Sequence, residues 1–511
     1  MRITPFVCAP RHSVLFVSAR RQRIRGWAAA LVLGTLPALA FPAPSWWWLA
    51  WFGLVPLLLL VRAAPSEWDG AVRAWFGVAG YMLATHYWLV TFVGPLLAVM
   101  AAGLGALWLP WGWLAHRLLS APAELGRTVA AMVVLPSAWV AADAVRSWPP
   151  LGGSWAALGA SQSAQPVTLA SASLGGVWLT SFLVAAVNTA LVGAVVHREV
   201  FGRLVALGCA VGLAAVGPAW YFLGPSPADG RTVRVALVQP GDIADAGARQ
   251  AASEGLTASV AGQRPDLVVW GESSVGSDLS SHPEVVARLA ELSRRVGADL
   301  LVNVDAPAPG GGIYKSAVLI GPGGTLGTYQ KTRLVPFGEY VPLRPLFGWI
   351  TRHSRAAAED RQRGTGPVVL HAGAVAIGPL VSYETLFSDL ARREAQLGAE
   401  LLVYQSSTSS YQGSWAQPQL AAQPAVRAVE AGRPAVHAAL SGDSSAFDAQ
   451  GHRLAWCSSN VRGVTVVSVP LRSRVTPYQR MGDWLPVLAF VVLVLGFVRW
   501  HRPARSATRR G

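Results

Sequence analysis

The chain has 511 residues, of which 52% are hydrophobic and only 14% are charged, whereas soluble proteins carry about 25% charged residues. This composition excludes a disordered chain and argues against a single soluble globule. The net charge of +15 is unevenly spread, because residues 1–223 and 484–511 together carry +13 and residues 224–483 carry +2. The excess Arg residues lie in tails and short loops beside apolar segments, which indicates membrane orientation and not nucleic-acid binding.

Eight apolar segments are long enough to predict membrane spans. They lie at 27–43, 45–61, 74–93, 95–115, 128–145, 172–196, 204–223 and 484–498. The 22 Trp residues are typical of the aromatic belts that form at membrane surfaces. The sequence therefore predicts a multi-pass membrane protein with about eight transmembrane helices, seven of them over 27–223 and the eighth over 484–498.

The Arg residues between these segments predict an orientation. The tails at 1–26 and 499–511 and the loops at 62–73, 116–127 and 197–203 are rich in Arg, whereas the alternate loops share one Arg. Positively charged loops stay on the cytoplasmic side of a membrane. Both termini are therefore expected in the cytoplasm, with the long polar segment between the seventh and eighth spans on the external side.

Residues 224–483 alternate between strand and helix patterns, and they are numerous enough to bury a core of their own. Apolar runs typical of strands lie at 232–239, 266–270, 299–304, 313–320, 374–383, 400–405, 434–440 and 463–469. Helical patterns lie at 283–296, 385–397 and 416–431. We expect an α/β domain in this segment.

One feature of the composition points to chemistry. The chain has 40 Arg but only two Lys, Lys315 and Lys331. Arg cannot act as a base near neutral pH, whereas a desolvated Lys can. A lysine in such a chain is a candidate for a role that Arg cannot fill, and the alternative is two ordinary surface lysines.

Two polar residues follow predicted strands. Glu272 comes two residues after Trp270, and Ser382 ends the run at 374–383. Ligand sites in α/β folds form outside the carboxyl ends of strands. We therefore expect Glu272, Ser382 and Lys331 to share a site, although each alone could be a capping or solvated residue.

Three motifs surround these residues. Residues 331–342 read KTRLVPFGEYVP, residues 270–273 read WGES, and residues 427–434 read RAVEAGRP. Together they resemble the apolipoprotein N-acyltransferase family, an integral-membrane branch of the nitrilase (carbon–nitrogen hydrolase) superfamily. The resemblance covers nearly the whole chain and implies an external α-β-β-α sandwich of the nitrilase type over 224–483.

The resemblance also implies an activity. Such enzymes move an acyl chain from a phospholipid to the N-terminal amine of a diacylglyceryl-cysteine lipoprotein. Glu272 would be the general base, Lys331 would stabilise the oxyanion, and the nucleophile would fall at Ser382. The supporting residues that it implies are Glu339, Tyr383, Glu384 and Lys315. It implies no cofactor, no metal and no nucleic acid, and it implies a monomer in a bacterial inner membrane.

The sequence departs from the family pattern at the nucleophile. The family has Cys where this chain has Ser382, and Cys457 is expected to be a small buried residue. A serine hydroxyl is a weaker nucleophile than a thiol and needs a strong neighbouring base. Lys315 replaces a family Asn, and the loop at 407–413 is also altered. Because like charges depress each other's pKa, Lys315 and Lys331 are both expected to have a lowered pKa, which would suit a serine nucleophile.

Three functions stay open at this stage. The first is N-acyl transfer through an acyl-enzyme at Ser382. The second is a catalytically inactive relative that binds lipoprotein or phospholipid. The third is a membrane-anchored amidase or other carbon–nitrogen hydrolase, against which the predicted spans argue, because a soluble substrate needs no entry at the level of the lipid.

Overall fold

The computed structural model describes residues 12–228, 230–307, 312–352 and 360–501. The predicted basic tails at 1–26 and 499–511 lie partly outside these ranges. The described chain up to residue 223 is helical, with short 3-10 turns between the helices. Helices α1–α11 are His12–Gly34, Val55–Arg62, Glu67–His86, Val90–Val93, Leu96–Gly105, Leu109–Leu119, Leu125–Arg146, Pro166–Leu169, Ala172–Val196, Val200–Ala214 and Val216–Leu223.

Several helical segments have the length and composition needed to cross a membrane. Four in the described part of the chain meet this requirement, namely Glu67–Val93, Leu96–Leu119, Leu125–Arg146 and Ala172–Val196. The pair α10 and α11, bent by 41°, adds a fifth if it is one span. The chain is therefore a membrane protein.

The other predicted spans fall on shorter or interrupted helices. Helix α1 ends at Gly34, and a 3-10 turn over Leu36–Ala40 follows it with Pro37 in its first turn. Proline interrupts a helix because it lacks an N–H donor. The segment at 45–61 is divided between a 3-10 turn and α2, and the segment at 484–498 falls on a shorter apolar helix. The count of eight spans stays a prediction.

From residue 232 onward the chain forms two six-stranded sheets and further helices. Strands β1–β12 are Thr232–Gln239, Leu267–Trp270, Asp299–Pro307, Ile313–Gly321, Gly324–Gln330, Leu370–Ala372, Val375–Val381, Leu401–Ser406, Ala435–Ala439, Ser444–Phe447, Arg453–Cys457 and Gly463–Pro470. Helices α12–α18 are Ala246–Ala258, Pro283–Val296, Arg344–Phe347, Ser388–Gln396, Ala416–Ala431, Pro477–Met481 and Trp484–His501.

The two sheets give the nitrilase-like α/β domain that the sequence predicted. Their strand orders are β12-β1-β2-β3-β4-β5 and β11-β10-β9-β8-β7-β6. The inner strands β1–β2–β3 and β7–β8–β9 are parallel and largely buried, which is why they read as continuous apolar runs. Gln405 of β8 bridges the sheets, because its amide donates to the carbonyl oxygens of Trp270 and Leu301 at 2.9 and 3.1 Å. Helix α13 packs on the first sheet, and α15 and α16 pack on the second.

A family motif joins this domain to the helical half. The Glu430 carboxylate accepts a hydrogen bond from the backbone N–H of Val177 at 2.6 Å. Val177 follows a kink in α9 at Gly176, which has a φ of +70°. Arg427 pairs with Glu430 at 2.8 Å, and both side chains are buried. The motif at 427–434 therefore fixes the α/β domain to a long apolar helix.

Candidate active site

The ends of three strands position the predicted triad. Glu272 lies two residues after β2, Lys331 directly follows β5, and Ser382 directly follows β7 and begins a 3-10 turn over Ser382–Leu386. Val381, at the end of β7, pairs with Gln405, whose side chain bonds to the carbonyl of Trp270 at the end of β2. The carboxyl ends of β2 and β7 therefore lie at the same edge of the sandwich.

Five charged residues form an ion cluster at this edge. The Nζ atom of Lys331 lies 2.9 Å from Oε1 of Glu339 and 3.5 Å from Oε1 of Glu272. The Nζ atom of Lys315 lies 3.0 Å from the same Glu272 oxygen and 3.3 Å from Oδ1 of Asp305. Positive and negative groups alternate along the cluster. Four of the five residues were predicted from the sequence to lie at the site, and Asp305 was not.

Backbone groups fix the two glutamates that hold Lys331. The N–H of Ser407 donates to Oε2 of Glu272 at 3.0 Å, and the N–H of Val335 donates to Oε2 of Glu339 at 2.9 Å. The glycine at position 271 has a local structural reason. A Cβ atom at this position would lie 2.3 Å from the backbone nitrogen of Leu440, so only glycine allows this approach.

The charges set the protonation state of the cluster. Burial raises the pKa of Glu272, but the ammonium groups of Lys315 and Lys331 outweigh it and hold this pKa well below its usual range. Burial lowers the pKa of Lys331, but the carboxylates of Glu339 and Glu272 outweigh it and raise this pKa above its usual range. The prediction of a lowered pKa for Lys331 is therefore wrong, because carboxylates flank Lys331 and outweigh the like charge of Lys315.

The two ammonium groups differ in how many donors they have left. An ammonium has three N–H donors. Lys315 has three acceptors, since Nζ also lies 2.9 Å from Oγ of Ser273 in addition to Glu272 and Asp305. Lys331 has two acceptors among the described residues. One N–H of Lys331 is therefore left to stabilise a developing oxyanion.

Ser382 has a left-handed backbone at the start of its turn. Its φ is +53°, in the left-handed region that non-glycine residues rarely adopt and that costs about 1–3 kcal/mol. Its side chain is half-buried, and its hydroxyl makes no hydrogen bond with any described residue. The strained turn presents this hydroxyl at the end of β7.

No described cysteine stands near Ser382. Cys457 lies on β11, which three strands separate from β7 in the sheet order. It is half-buried. Cys209 lies in helix α10, in the membrane half of the chain. No thiol therefore stands beside Ser382 among the residues that the structure describes.

Glu384 connects the Ser382 turn to the residues on both sides of Lys331. Its Oε1 atom accepts hydrogen bonds from the Tyr329 hydroxyl at 2.7 Å, from the Thr332 hydroxyl and N–H at 2.8 Å, and from the Arg333 N–H at 2.9 Å. Its Oε2 atom accepts from the N–H of Val381 at 2.8 Å. These five bonds hold the backbone at Val381, Thr332 and Arg333 in place. None of them involves a residue of the ion cluster.

The aromatic residues of the site face the membrane half. The Tyr383 hydroxyl donates to the carbonyl of Pro149 at 3.0 Å. Burial raises the pKa of Tyr383 above its ordinary value, so it stays a donor. In the altered loop at 407–413, the ring of Tyr411 contacts the rings of Trp88 and Phe92, with centroid distances of 4.6 and 5.2 Å. Helical and α/β halves therefore meet beside the site.

Sequence reasoning missed Asp305 and Arg361. Asp305 on β3 pairs directly with Lys315 on β4, and a cross-strand neighbour of opposite charge is a common arrangement. Finding it would have required the register of this hairpin. Arg361 lies 3.7 Å from Asp305 and extends the alternation of charges by one member.

Two family models match successive parts of this chain. The family model described as the apolipoprotein N-acyltransferase N-terminal domain matches residues 33–190, and the model described as carbon-nitrogen hydrolase matches residues 234–478. Among solved structures, an amidase from Nesterenkonia sp. aligns with a TM-score of 0.37 and 20% identity, over 52% of this chain and 99% of the amidase chain.

Curated relatives match nearly the full length. A protein of Geobacter metallireducens named apolipoprotein N-acyltransferase is 30% identical over 93% of this chain and 96% of its own length. A protein of the same name from Gloeobacter violaceus is 28% identical over 96% of this chain and 97% of its own length. Since one relative reaches 30% identity along almost the whole sequence, and the two models follow one another along it, this chain belongs to the apolipoprotein N-acyltransferase family.

Proposed function

We propose that this chain transfers an acyl chain from a phospholipid to the N-terminal amine of a diacylglyceryl-cysteine lipoprotein, through an acyl-enzyme at Ser382. The observation that carries the proposal is that Glu272, Lys331 and Glu339 of the ion cluster lie at the sheet edge where the Ser382 turn begins. Family membership supports the same activity.

The first step forms the acyl-enzyme. The Ser382 oxygen attacks the ester carbonyl of the phospholipid, and Glu272 takes the hydroxyl proton. The free N–H of Lys331 stabilises the oxyanion of the tetrahedral intermediate. When the intermediate collapses, the ester bond breaks, and the proton passes from Glu272 to the departing lysophospholipid alkoxide. The acyl chain is then an ester of Ser382.

The second step transfers the acyl chain. The α-amino group of the lipoprotein cysteine attacks the Ser382 ester, and Glu272 takes a proton from the amine. Lys331 again stabilises the oxyanion. Collapse forms the amide and returns the proton to the Ser382 oxygen. The protein ends the cycle with the protonation states in which it began.

The first step is expected to be slow. Glu272 has a pKa held below its usual range by two ammonium groups, so proton transfer to it from a serine hydroxyl is strongly uphill. A thiol would give up its proton far more easily, since its pKa is about 8.5. The proposal therefore includes a low rate of acylation at Ser382.

The proposal includes an arrangement in the membrane. Residues 27–223 form a seven-span bundle, residues 484–498 form an eighth span, and residues 224–483 lie on the external side of a bacterial inner membrane. The tails at 1–26 and 499–511 are cytoplasmic, and the protein works as a monomer. The Arg-rich alternate loops support this orientation.

Site-directed labelling tests this orientation. A cysteine placed at Ser280, in the α/β domain, should react with a membrane-impermeant maleimide on intact spheroplasts. A cysteine placed at Ser120, in a loop expected in the cytoplasm, should react only after lysis. The native cysteines are replaced in both chains. Equal labelling of the two positions before lysis would contradict the arrangement.

The activity is tested with a defined acceptor. The purified chain in detergent receives a phospholipid with a labelled acyl chain and a synthetic diacylated lipopeptide. We expect label in amide linkage on the lipopeptide with a free amine, and none on the same lipopeptide with an acetylated amine. Absence of transfer to the free amine, with the protein folded, would contradict N-acyl transfer.

One observation favours a second candidate, a relative that binds phospholipid or lipoprotein without catalysis. The Ser382 hydroxyl has no hydrogen bond to a base among the described residues, and both ammonium groups draw on the one carboxylate that would serve as that base. In this case the chain would bind labelled phospholipid, but no acyl chain would become covalently attached.

A further inference from the structure

The loop at residues 147–157, here called the joint loop, contacts the turn that carries Ser382. The Ser154 hydroxyl donates to the carbonyl of Leu386, the last residue of that turn. The Tyr383 hydroxyl donates to the carbonyl of Pro149 at 3.0 Å. The joint loop follows α7, so it connects a long apolar helix to the nucleophile position of the other half.

Gly153 brings the backbone of the joint loop close to the turn. Gly153 has a φ of +71°, and a Cβ atom there would lie 2.9 Å from Cζ of Phe387 and 3.2 Å from the hydroxyl oxygen of Tyr383. A side chain would therefore be strained by its backbone and would push against these two rings. The contact requires the loop backbone to lie directly on the turn.

Arg146, the last residue of α7, holds the joint loop from the other side. Its Nη1 atom donates to the carbonyl oxygens of Trp155 and Gly153 at 2.7 and 3.3 Å. Its Nε and Nη2 atoms donate to Oδ1 of Asp143 at 3.1 and 2.8 Å. Arg146 and Asp143 are 1% and 2% exposed. The planar guanidinium thus joins one carboxylate to two loop carbonyls.

Burying the Asp143–Arg146 pair costs desolvation free energy. This cost argues that the pair does more than stabilise the fold. A buried ion pair loses much of its attraction to desolvation, and apolar residues often replace it without loss of stability. Charged residues within spanning helices usually mark function. The donors of Arg146 that do not face Asp143 face the joint loop, so the pair fixes the loop.

A second buried pair offers a matched control. Asp69 and Arg73 on α3 pair at 2.8 Å and are both buried. Arg73 donates to the carbonyl of Leu60, and Trp27 donates to Asp69. These contacts stay within the helical half and do not reach the joint loop. Neutralising this pair therefore reproduces the loss of a buried ion pair without disturbing the nucleophile turn.

We infer that Arg146 is a positioning residue for Ser382, acting through the joint loop. It fixes the loop against the 3-10 turn, so that the turn keeps the left-handed backbone at Ser382 and aims the hydroxyl at the ion cluster. A displacement of about 1 Å lowers the rate of a positioned reaction by about 100-fold. The inference rests on the proposed function in one respect only, namely that Ser382 is the nucleophile.

The test uses full-length chains with Ser382→Cys in which the three native cysteines are replaced by Ala. Asp143→Asn/Arg146→Gln removes the pair, and Arg146→Lys keeps the charge but loses the planar fork. Gly153→Ala pushes on the turn and leaves both side chains of the pair unchanged, and Asp69→Asn/Arg73→Gln is the control. For each chain, the rate of maleimide alkylation at position 382, the rate of acyl-enzyme formation and the apparent KM for phospholipid are measured.

We expect the three joint variants to change the alkylation rate at least fivefold and to slow acyl-enzyme formation about 10- to 100-fold, with the apparent KM unchanged. The control pair should change neither rate. Rates equal to those of the parent in both Arg146→Lys and Asp143→Asn/Arg146→Gln would overturn the inference. Rates changed to the same extent in Asp69→Asn/Arg73→Gln would also overturn it. Alkylation does not depend on catalysis, so a chain that never acylates contradicts the proposed function and leaves the test of Arg146 intact.

Discussion

Lys315 lies closer to Glu272 than Lys331 does, and both ammonium groups share one oxygen. The Nζ–Oε1 distances are 3.0 Å for Lys315 and 3.5 Å for Lys331. The family resemblance implies an Asn at the position of Lys315, and Asp305 balances the charge of Lys315 at 3.3 Å. The base of the proposed reaction is therefore bound to an additional cation, in a chain whose nucleophile is a serine.

The first prediction concerns the nucleophile. Ser382→Cys should form the acyl-enzyme at least about tenfold faster than the parent chain, because a thiol gives up its proton far more easily than a hydroxyl. The measurement is a time course of intact mass with added phospholipid. Ser382→Thr, which keeps a hydroxyl but adds a methyl group, is the control and should not exceed the parent. A Ser382→Cys chain no faster than the parent would contradict the role of this position.

The second prediction concerns pH. The Glu272 pKa lies below its usual range, and Lys315 is the largest cause that lowers it. A step that needs ionised Glu272 persists above this pKa and is lost as the pH falls through it. Lys315→Asn should raise the pKa and move the acid limb of the rate profile upward by about 1–2 pH units. The rate of acyl-enzyme formation is measured across acid pH.

Arg361→Gln is the matched control for the pH prediction. It removes a cation that contacts Asp305 at 3.7 Å and is not among the causes that shift the pKa of Glu272. Its acid limb should move less than that of Lys315→Asn. Identical acid limbs in the parent and in Lys315→Asn would show that Lys315 does not control the base.

The third prediction concerns Lys331. Lys331→Met should slow acyl-enzyme formation by about 100- to 1,000-fold, because it removes the donor for the oxyanion. It also leaves the carboxylates of Glu272 and Glu339 without this counterion, which costs about 3–5 kcal/mol of stability. Lys331→Met/Glu339→Gln should regain part of the stability but none of the rate. If the double variant regained the rate of acyl-enzyme formation together with its stability, the role of Lys331 at the oxyanion would be contradicted.

The fourth prediction concerns Glu384. Glu384→Ala removes the acceptor of five hydrogen bonds, and buried donors that lose a charged acceptor cost about 1.5–3 kcal/mol each when not satisfied again. The midpoint of thermal unfolding in detergent should fall sharply. Glu400→Ala breaks an exposed pair with Arg231 and removes the acceptor of one backbone N–H, that of Ala376. Because an exposed ion pair contributes about 0–1 kcal/mol and one hydrogen bond about 0.5–1.5 kcal/mol, its midpoint should fall much less. Equal shifts in the two variants would refute the role of Glu384 as a clamp.

Much of the α/β domain could be predicted because its strands are buried on both faces. Strand β1 and helices α13 and α16 occupy the predicted bounds 232–239, 283–296 and 416–431. Strands β5, β6, β10 and β11 were not predicted. Strand β5 contains two glycines and has one buried residue among its seven, and β6 has three residues, so neither carries the apolar run that indicates a strand.

The site could be predicted in part for a related reason. Glu272 and Ser382 stand next to strands that the sequence reveals, so their gathering at one edge follows from topology. Lys331 follows β5, which the apolar pattern did not indicate. The place of Asp305 depends on the β3–β4 register, and the raised pKa of Lys331 depends on the two carboxylates that flank it. Neither the register nor these distances can be read from spacing along the chain.

The most direct measurement is the intact mass of the purified parent chain after incubation with a phospholipid of defined acyl chains, with Ser382→Ala beside it. Formation of an acyl-enzyme at Ser382 predicts an added acyl mass on the parent, removed by a diacylated lipopeptide with a free amine, and no added mass on the variant. A folded parent chain that binds the lipid but gains no mass, or a variant that gains the same mass, would contradict it.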